Sequence, residues 1–480
     1  MPSYEPVIGL EVHAQLLTAT KIFCGCPTSF GAPPNTHGCP VCLGFPGALP
    51  VLNRAAVDLA VTAALALGCR ISERSVFARK NYFYSDLPKG YQISQFEQPL
   101  ATGGGVEIAA GGMVRHVRLT RIHLEEDAGK SMHEGFADSD AKAYLDFNRS
   151  GVPLIEIVTE PDMRSAEEAA TFFETLRQLL LWLGVNDGNM DEGSLRCDAN
   201  VSVRRRGDTT LGTKAEVKNV NSFRYLQKAI AYEIDRQTDV LEHGGRVVQE
   251  TRLFDAAQGR TYAMRSKEEA HDYRYFPEPD LPPLVVEPAR RNAIAAALPE
   301  LPDARRRRIV AEYALPEYDA ALLTQTRGLA DYFEETARVS GTAKAASNWI
   351  MGEVLRLMKE RGVAIEAIPV SPGALAGLID IVEQNTISST VAKDVFAEMC
   401  ASGRSAAEIV AAGGLAQISD AASLEPIVQR VVAANQPVVE EIRAGKDRKF
   451  QFLVGQVMKE TKGKGDPKLI TTLMRAAIGA

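Results

Sequence analysis

The chain changes its hydrophobic period once, near residue 290, and that switch limits the folds open to it. Before it, short segments alternate apolar and polar residues between Gly, Pro and Asn, the pattern of strands with intervening helices. After Pro288 the chain is rich in Ala and Leu at helical spacing, as in Arg291 to Leu298 and Ala343 to Arg361. Tyr275-Phe276-Pro277-Glu278-Pro279-Asp280-Leu281-Pro282-Pro283 should run extended, since proline fixes its own φ and keeps its predecessor out of the helical region. A second break at Ala411-Ala412-Gly413-Gly414 precedes several short helices, with Gly463-Lys464-Gly465-Asp466-Pro467 as a turn before the last. At 480 residues the chain exceeds what one core sustains and should form two to four domains.

Within the first part, Cys24-Gly25-Cys26 is followed after a loop by Cys39-Pro40-Val41-Cys42. Two close thiol pairs across such a loop can close a tetrahedral thiolate site of the kind zinc prefers, with His37 as a substitute ligand. The alternative is two disulfides. The start, Met1-Pro2-Ser3-Tyr4-Glu5, has neither the basic residues nor the apolar run of a secretory signal, so a cytoplasmic, reducing location and a metal are expected. Four thiolates leave no open position, so this zinc is a staple and the chemistry lies elsewhere. Cys69, Cys197 and Cys400 are isolated and read as packing residues.

No apolar run reaches the roughly 18 residues that span a bilayer. Ala55 to Leu67 comes nearest, but Asp58 and its helical spacing mark a core helix. The net charge of −7 gives no overall sign of nucleic acid, yet from Arg443 onward nine basic residues face only Asp447, Glu460 and Asp466. Such an end grips a polyanion or is simply a solvated face.

Four segments carry unusual polar faces. In Ile8 to Ala14, alternation puts Ile8, Leu10, Val12 and Ala14 on one side and Glu11 with His13 on the other. In Leu195 to Val203, Arg196, Asp198, Asn200 and Ser202 oppose Cys197, Ala199, Val201 and Val203. Lys214, Glu216 and Lys218 are co-facial, and Ile122-His123-Leu124 runs into Glu125-Glu126-Asp127. If these strands share a sheet, their carboxylates repel unless a cation neutralises them. Oxygen ligands with one imidazole suit magnesium or manganese, often beside phosphate.

Gly129-Lys130-Ser131 is not a P-loop, because Leu124 stands where the first glycine is required. No dinucleotide fingerprint and no Gly-x-Ser-x-Gly elbow occurs in a suitable context. Lys80 to Tyr91 and Asp272 to Phe276 are dense in aromatics and cations, which suits stacking on a base or an unpaired RNA end.

Together these segments resemble the B subunit of the aspartyl/glutamyl-tRNA amidotransferases, the GatB family. The likeness rests on Val7 to His13, Lys80 to Tyr84, Tyr91 to Phe96, His123 to Lys130, Pro153 to Val158, Glu192 to Asn200, Lys214 to Asn221 and Asp272 to Asp280. It continues at Ser347 to Gly352, Phe452 to Lys459 and Gly463 to Pro467. The resemblance implies an α+β protein: a cradle-shaped catalytic domain on a mainly antiparallel sheet (1–292), an all-α helical domain (293–410) and an all-α YqeY-like tail (411–480). It implies a GatA-like glutaminase subunit, a GatC-like small subunit, tRNA(Gln) or tRNA(Asn), and the cognate non-discriminating aminoacyl-tRNA synthetase as partners. ATP would phosphorylate the side-chain carboxylate of Glu-tRNA(Gln) or Asp-tRNA(Asn), and ammonia from the partner would displace the phosphate.

On that resemblance Glu11, His13, Glu126 and Glu216 are the candidates to hold Mg²⁺ or Mn²⁺, with Glu125 as the alternative to Glu126. Asp198 would coordinate the same ion or orient the incoming ammonium, and Lys80 and Lys218 would offset phosphate charge. Cys24, Cys26, Cys39 and Cys42 would hold structural Zn²⁺, dispensable in principle because some relatives lack the quartet. A zinc-stapled RNA-binding scaffold without activity explains the thiols and the basic end but leaves the carboxylate faces unexplained. A self-contained glutamine amidase has no supporting motif.

Overall fold

A computed structural model describes the chain except for residues 1–2, 133–137, 139–140, 267–272, 419, 444–448, 462 and 480. Asp272 of the aromatic segment, and Lys446, Asp447, Arg448 and Lys462 of the basic end, therefore lie outside the described residues. The chain divides into two compact units, Met1–Pro302 and Asp303–Ala480.

In chain order, the strands of the first unit are β1 (Tyr4–Gln15), β2 (Arg70–Ile71), β3 (Phe77–Asn81), β4 (Tyr91–Gln95) and β5 (Ala101–Thr102). Next come β6 (Gly105–Ala110), β7 (Met113–Glu126), β8 (Lys130–Met132), β9 (Tyr144–Asp146) and β10 (Pro153–Thr159). The last are β11 (Leu195–Arg205), β12 (Ala215–Lys218), β13 (Glu250–Asp255), β14 (Arg260–Ser266) and β15 (Phe276–Pro277). The large sheet runs β14-β13-β12-β11-β1-β10-β7-β5-β2, with β6 paired to β7. Every described pair in it is antiparallel except β12 with β13. A parallel pair needs a crossover, and helix α3 (Phe223–Glu242) lies between those two strands in the chain.

The expected alternation is realised in β1, where Ile8, Leu10, Val12 and Ala14 are buried and Glu11 and His13 are half-buried. Cys197, Ala199, Val201 and Val203 do the same for β11. These apolar faces share one core with α1 (Arg54–Ala66), α2 (Ala166–Trp182) and α3, through Ala60, Phe172, Phe173 and Ile230. Each helix starts on a side chain that accepts a backbone N–H of its first turn: Asn53, Ser165 and Ser222 respectively. The Gly129-Lys130-Ser131 segment opens a short strand and not a helix, in keeping with its rejection as a P-loop.

The described part of the second unit is helical. One hydrophobic cluster draws on Ile309 to Val410 and another on Leu424 to Ile478. The helix expected over Ala343 to Arg361 is present but widens into a π-helical turn at Ile350–Val354. There Glu353 is held by Arg356 at 2.7 Å and Lys393 at 2.9 Å.

Candidate active site

Five neighbouring strands, β12-β11-β1-β10-β7, carry polar residues beside a cavity of about 460 Å³ lined by His13, Lys80, Glu125, Asp198 and Lys218. Register explains the assembly. His13 lies opposite Glu156 of β10 on one side and Arg196 of β11 on the other, and Glu156 lies opposite His123 of β7. His13 Nε2 is 3.4 Å from Glu156 and 4.0 Å from Glu125. His123 Nε2 is 3.3 Å from Glu156 and 3.4 Å from Glu125. Ser94 donates to Glu125 at 3.0 Å.

Burial disfavours charge on all four groups, but their mutual attraction outweighs it. Burial pulls His13 down while Glu156 and Glu125 raise it further, leaving it above its ordinary value. His123 is lifted to about 9 against the same burial penalty, chiefly by Glu156 and then Glu125. Glu156 is held well below the usual carboxylate range, because both histidines overcome its desolvation. The two imidazoles and the two buried carboxylates thus favour one another's charged forms. A divalent cation would neutralise the same carboxylates, and His13, Glu125 and Glu156 offer three ligand atoms within 4.8 Å of one another. Two carboxylates and one imidazole suit magnesium or manganese.

The other sequence candidates on the large sheet divide among three further places. Asp198 bonds Lys218, which also lies 3.4 Å from Glu216, and Thr251 donates to Glu216 at 3.0 Å. Burial works against charge on Lys218, but Asp198 and Glu216 more than compensate and raise it. Glu11 accepts from Asn200 at 2.8 Å. Glu126 points away from the cluster: its carboxylate pairs with Lys89 and accepts the Ile93 N–H at 2.8 Å. Of Glu125 and Glu126, the first is therefore the one beside His13.

Lys80, at the end of β3, stands over the Tyr273 ring at 4.9 Å and the Tyr82 ring at 5.9 Å. Burial opposes its charge, but Tyr275, Glu125 and Glu156 hold it protonated, above the usual lysine value. The two aromatic segments meet here: Tyr82 packs on Tyr84 and Tyr273, and Tyr275 stacks on Phe96 at 4.3 Å.

Sequence reasoning passed over Glu156, His123 and the wall around Asp127 as site groups. Asp127 is buried, yet Arg149 and Arg196 overcome its desolvation and keep its carboxyl below the ordinary range. Arg196 reaches it at 2.8 Å, Gln15 at 2.8 Å and Arg149 at 3.7 Å.

The four cysteine sulfurs converge within 4.8 Å of one another, with Cys39 and Cys42 Sγ 3.9 Å apart. Tetrahedral zinc at ~2.3 Å from each sulfur requires S···S spacings of ~3.8 Å, so the donor set fits. The Cys24 thiol, the Cys39 N–H and Lys21 push Cys42 down to about 4. His37 is not among the converging donors; its carbonyl accepts from Lys21 at 2.6 Å.

Residues 6–292 match the family model described as the GatB/GatE catalytic domain, and residues 331–478 match one described as a GatB domain. A curated protein of Trichlorobacter lovleyi, named as the B subunit of an aspartyl/glutamyl-tRNA(Asn/Gln) amidotransferase, is 54% identical over 98% of both chains. The chain belongs to the GatB family. Proteins of the same name from Carboxydothermus hydrogenoformans and Myxococcus xanthus are each 53% identical over 99% of both chains. The first GatB match contains every residue of the cavity and of the thiolate cluster. The second begins within Arg327–Ser340, so it contains the cluster drawn from Leu424 to Ile478 and only part of the one drawn from Ile309 to Val410. No described helix is long and apolar enough to cross a membrane.

Proposed function

We propose that this chain is the amidating subunit of a tRNA-dependent amidotransferase, converting mischarged Glu-tRNA(Gln), Asp-tRNA(Asn) or both to the amide forms. The observation that carries this is one cavity lined by His13 and Glu125, which belong to a cluster fit for a divalent ion, together with Lys80, Arg149, Arg196 and Lys218. A carboxylate is a poor electrophile for ammonia, and phosphorylation by ATP gives its carbonyl a leaving group. That transfer requires alignment and charge neutralisation more than covalent help.

His13, Glu125 and Glu156 would hold Mg²⁺ or Mn²⁺, which supplies charge for the transferring phosphoryl group. Lys80, kept cationic by Glu125 and Glu156, and Lys218 face phosphate oxygens. In the first half the substrate carboxylate attacks the γ-phosphorus and ADP leaves. In the second, ammonia attacks the acyl carbon, the carbonyl–phosphate bond breaks, and one N–H proton ends on the departing phosphate. Asp198, bonded to Lys218, would accept from an ammonium ion. Glu11 and Glu216 shape the polar face beyond, and the clustered tyrosines suit a stacked base, worth about 1–3 kcal/mol.

The thiolate cluster would hold zinc as a staple. The working division is 1–292, 293–410 and 411–480, with the last part meeting tRNA; its Lys459 and Lys468 are exposed. A GatA-like glutaminase, a GatC-like subunit and the cognate synthetase complete the proposed assembly. The test supplies ATP, magnesium and either glutamine or ammonium chloride to the chain with its glutaminase partner, and follows amidation of both tRNAs. Product from ammonium chloride supports the assignment and identifies the tRNA. No product from either nitrogen source with a folded complex defeats it.

A further inference from the structure

The thiolate loop lies against one segment, residues 145–151, with unusual density of bonding. Asn35 Nδ2 donates to Leu145 O at 2.9 Å and its Oδ1 accepts the Phe147 N–H at 2.8 Å, while its own N–H reaches Asp146 at 3.0 Å. Asn148 returns the pattern, accepting the His37 N–H at 2.8 Å and donating to Pro33 O at 2.8 Å. Lys21, fully buried, bridges both sides: its Nζ donates to His37 O at 2.6 Å, to Phe147 O at 3.3 Å and to Cys42 Sγ at 3.6 Å. Ser150 donates to Cys42 O at 3.2 Å, and the Ile22 N–H to Gly151 O at 2.9 Å. Gly151 has φ +83°, and a methyl there would meet Cys42 Cβ at 3.3 Å and Lys21 Cδ at 3.5 Å, so the approach needs glycine.

The other side of segment 145–151 forms the cavity wall. Arg149 donates to Ala128 O at 3.0 Å and Gly129 O at 2.6 Å and stands 3.7 Å from Asp127. The Gly151 N–H donates to Asp127 O at 2.9 Å. Arg149 and Arg196 meet at the carboxylate of Asp127; Arg196 bonds it and also feels Glu125 and Asp198, whereas Arg149 stands 3.7 Å off and spends its bonds on two carbonyls. A guanidinium on the cavity wall with no direct carboxylate hydrogen bond among the described contacts favours an oxyanion beside it.

We propose that the thiolate loop braces the Asp127–Arg149 wall of the cavity, and that Asn35 and Asn148 are positioning residues for binding the phosphate-bearing substrate. The inference rests on the assignment of this cavity to phosphoryl transfer. It gives the cysteine cluster a second role, since the same bonds that anchor the loop set the height of Arg149. A misplacement of about 1 Å suffices to weaken such an interaction strongly, and the fully formed cluster of His13, Glu125 and Glu156 has no bond to this loop among the described contacts.

The test uses the assembled enzyme with ammonium chloride as nitrogen donor and measures kcat and the KM for ATP, with zinc content determined on each preparation. Asn35→Gly keeps the left-handed backbone at that position (φ 63°) while removing the side-chain bonds; Asn148→Ala removes those of its partner; Arg149→Met removes the braced group. The expected result is a KM for ATP raised about fivefold or more in all three, kcat within twofold for the two asparagine variants, and zinc retained. A partly unfolded preparation lowers the active fraction, hence kcat, without moving KM. An unchanged KM in both asparagine variants, with Arg149→Met raised, overturns the brace alone. An unchanged KM in Arg149→Met overturns the assignment of the wall on which it rests. A KM rise seen only where zinc has been lost also overturns the brace, because the metal and not these bonds would then hold the wall.

Discussion

Among the described residues, two clusters of side chains that could hold a metal ion lie in the first unit, and they are built on opposite principles. The cysteine cluster is four soft donors on a loop, complete in itself and surrounded by backbone hydrogen bonds. The histidine–carboxylate cluster is two hard donors and an imidazole on adjacent strands, three ligands short of an octahedron and bordering a cavity. A closed site suits holding a shape, whereas open positions are what substrate oxygens and water need. The supports differ as well. Strand register places His13, Glu125 and Glu156 to within the pleat of a sheet whose other face is core, so that site depends little on its own bonds for position. The loop has no such frame and relies on polar stitches.

The comparison breaks first at the open cluster. Glu125→Gln or Glu156→Gln should lower amidation from ammonium chloride, and tRNA-dependent phosphate release, by about 10³-fold or more in protein that still folds, with a lower melting temperature because a buried histidine loses its counter-charge. Comparable activity in both variants would mean the cluster is structural. Lys80→Met comes next, with kcat down about 10²-fold and tRNA affinity retained, measured by single-turnover amidation and filter binding. A loss confined to tRNA affinity would move Lys80 from the chemistry to binding.

Cys42→Ser should have a smaller effect on kcat, within about threefold, yet release the metal and lower the melting temperature by about 10 °C. Calorimetry and metal analysis on one sample decide this, and a kcat collapse with the fold intact would erase the distinction drawn between the two clusters. The smallest effect belongs to an ion pair in the second unit that holds no metal. Glu334 accepts from Arg308 at 2.6 Å and also pairs with Arg305, and these bonds overcome its burial to depress its pKa. A depressed carboxyl stabilises the fold above its unfolded value, ~4.3, and loses that contribution as pH falls through the folded value. Glu334→Gln should therefore cost about 1 kcal/mol at pH 7 and nothing once pH has fallen below the folded value, with amidation unchanged. Urea unfolding at the two pH values checks it.

Legibility in the sequence followed the same division. The period change, the paired faces of β1 and β11 and the thiol spacing all follow from local pattern, and they carried the order of strands before helices and the positions of Glu11, His13 and Asp198, whereas the α+β class came with the family resemblance. The choice between Glu125 and Glu126 was also open to period-2 counting, because His123 and Glu125 must share a face once β7 is a strand. Glu156 was not legible. It sits in β10, which is buried along nearly its whole length, so no alternation marks a polar side, and its meaning depends on two histidines 143 and 33 residues away. Arg149 lies outside regular structure, and only the fold brings it to Asp127.

Lys21 carries one more consequence. An ammonium ion with no solvent contact is tolerable here because a sulfur of the quartet and two carbonyls surround it. A lineage that discards its cysteines strands that cation, and one that discards the lysine leaves the thiolates without their nearest counter-charge. The lysine and the four thiols should therefore be inherited as a single trait, lost together in relatives that dispense with the metal.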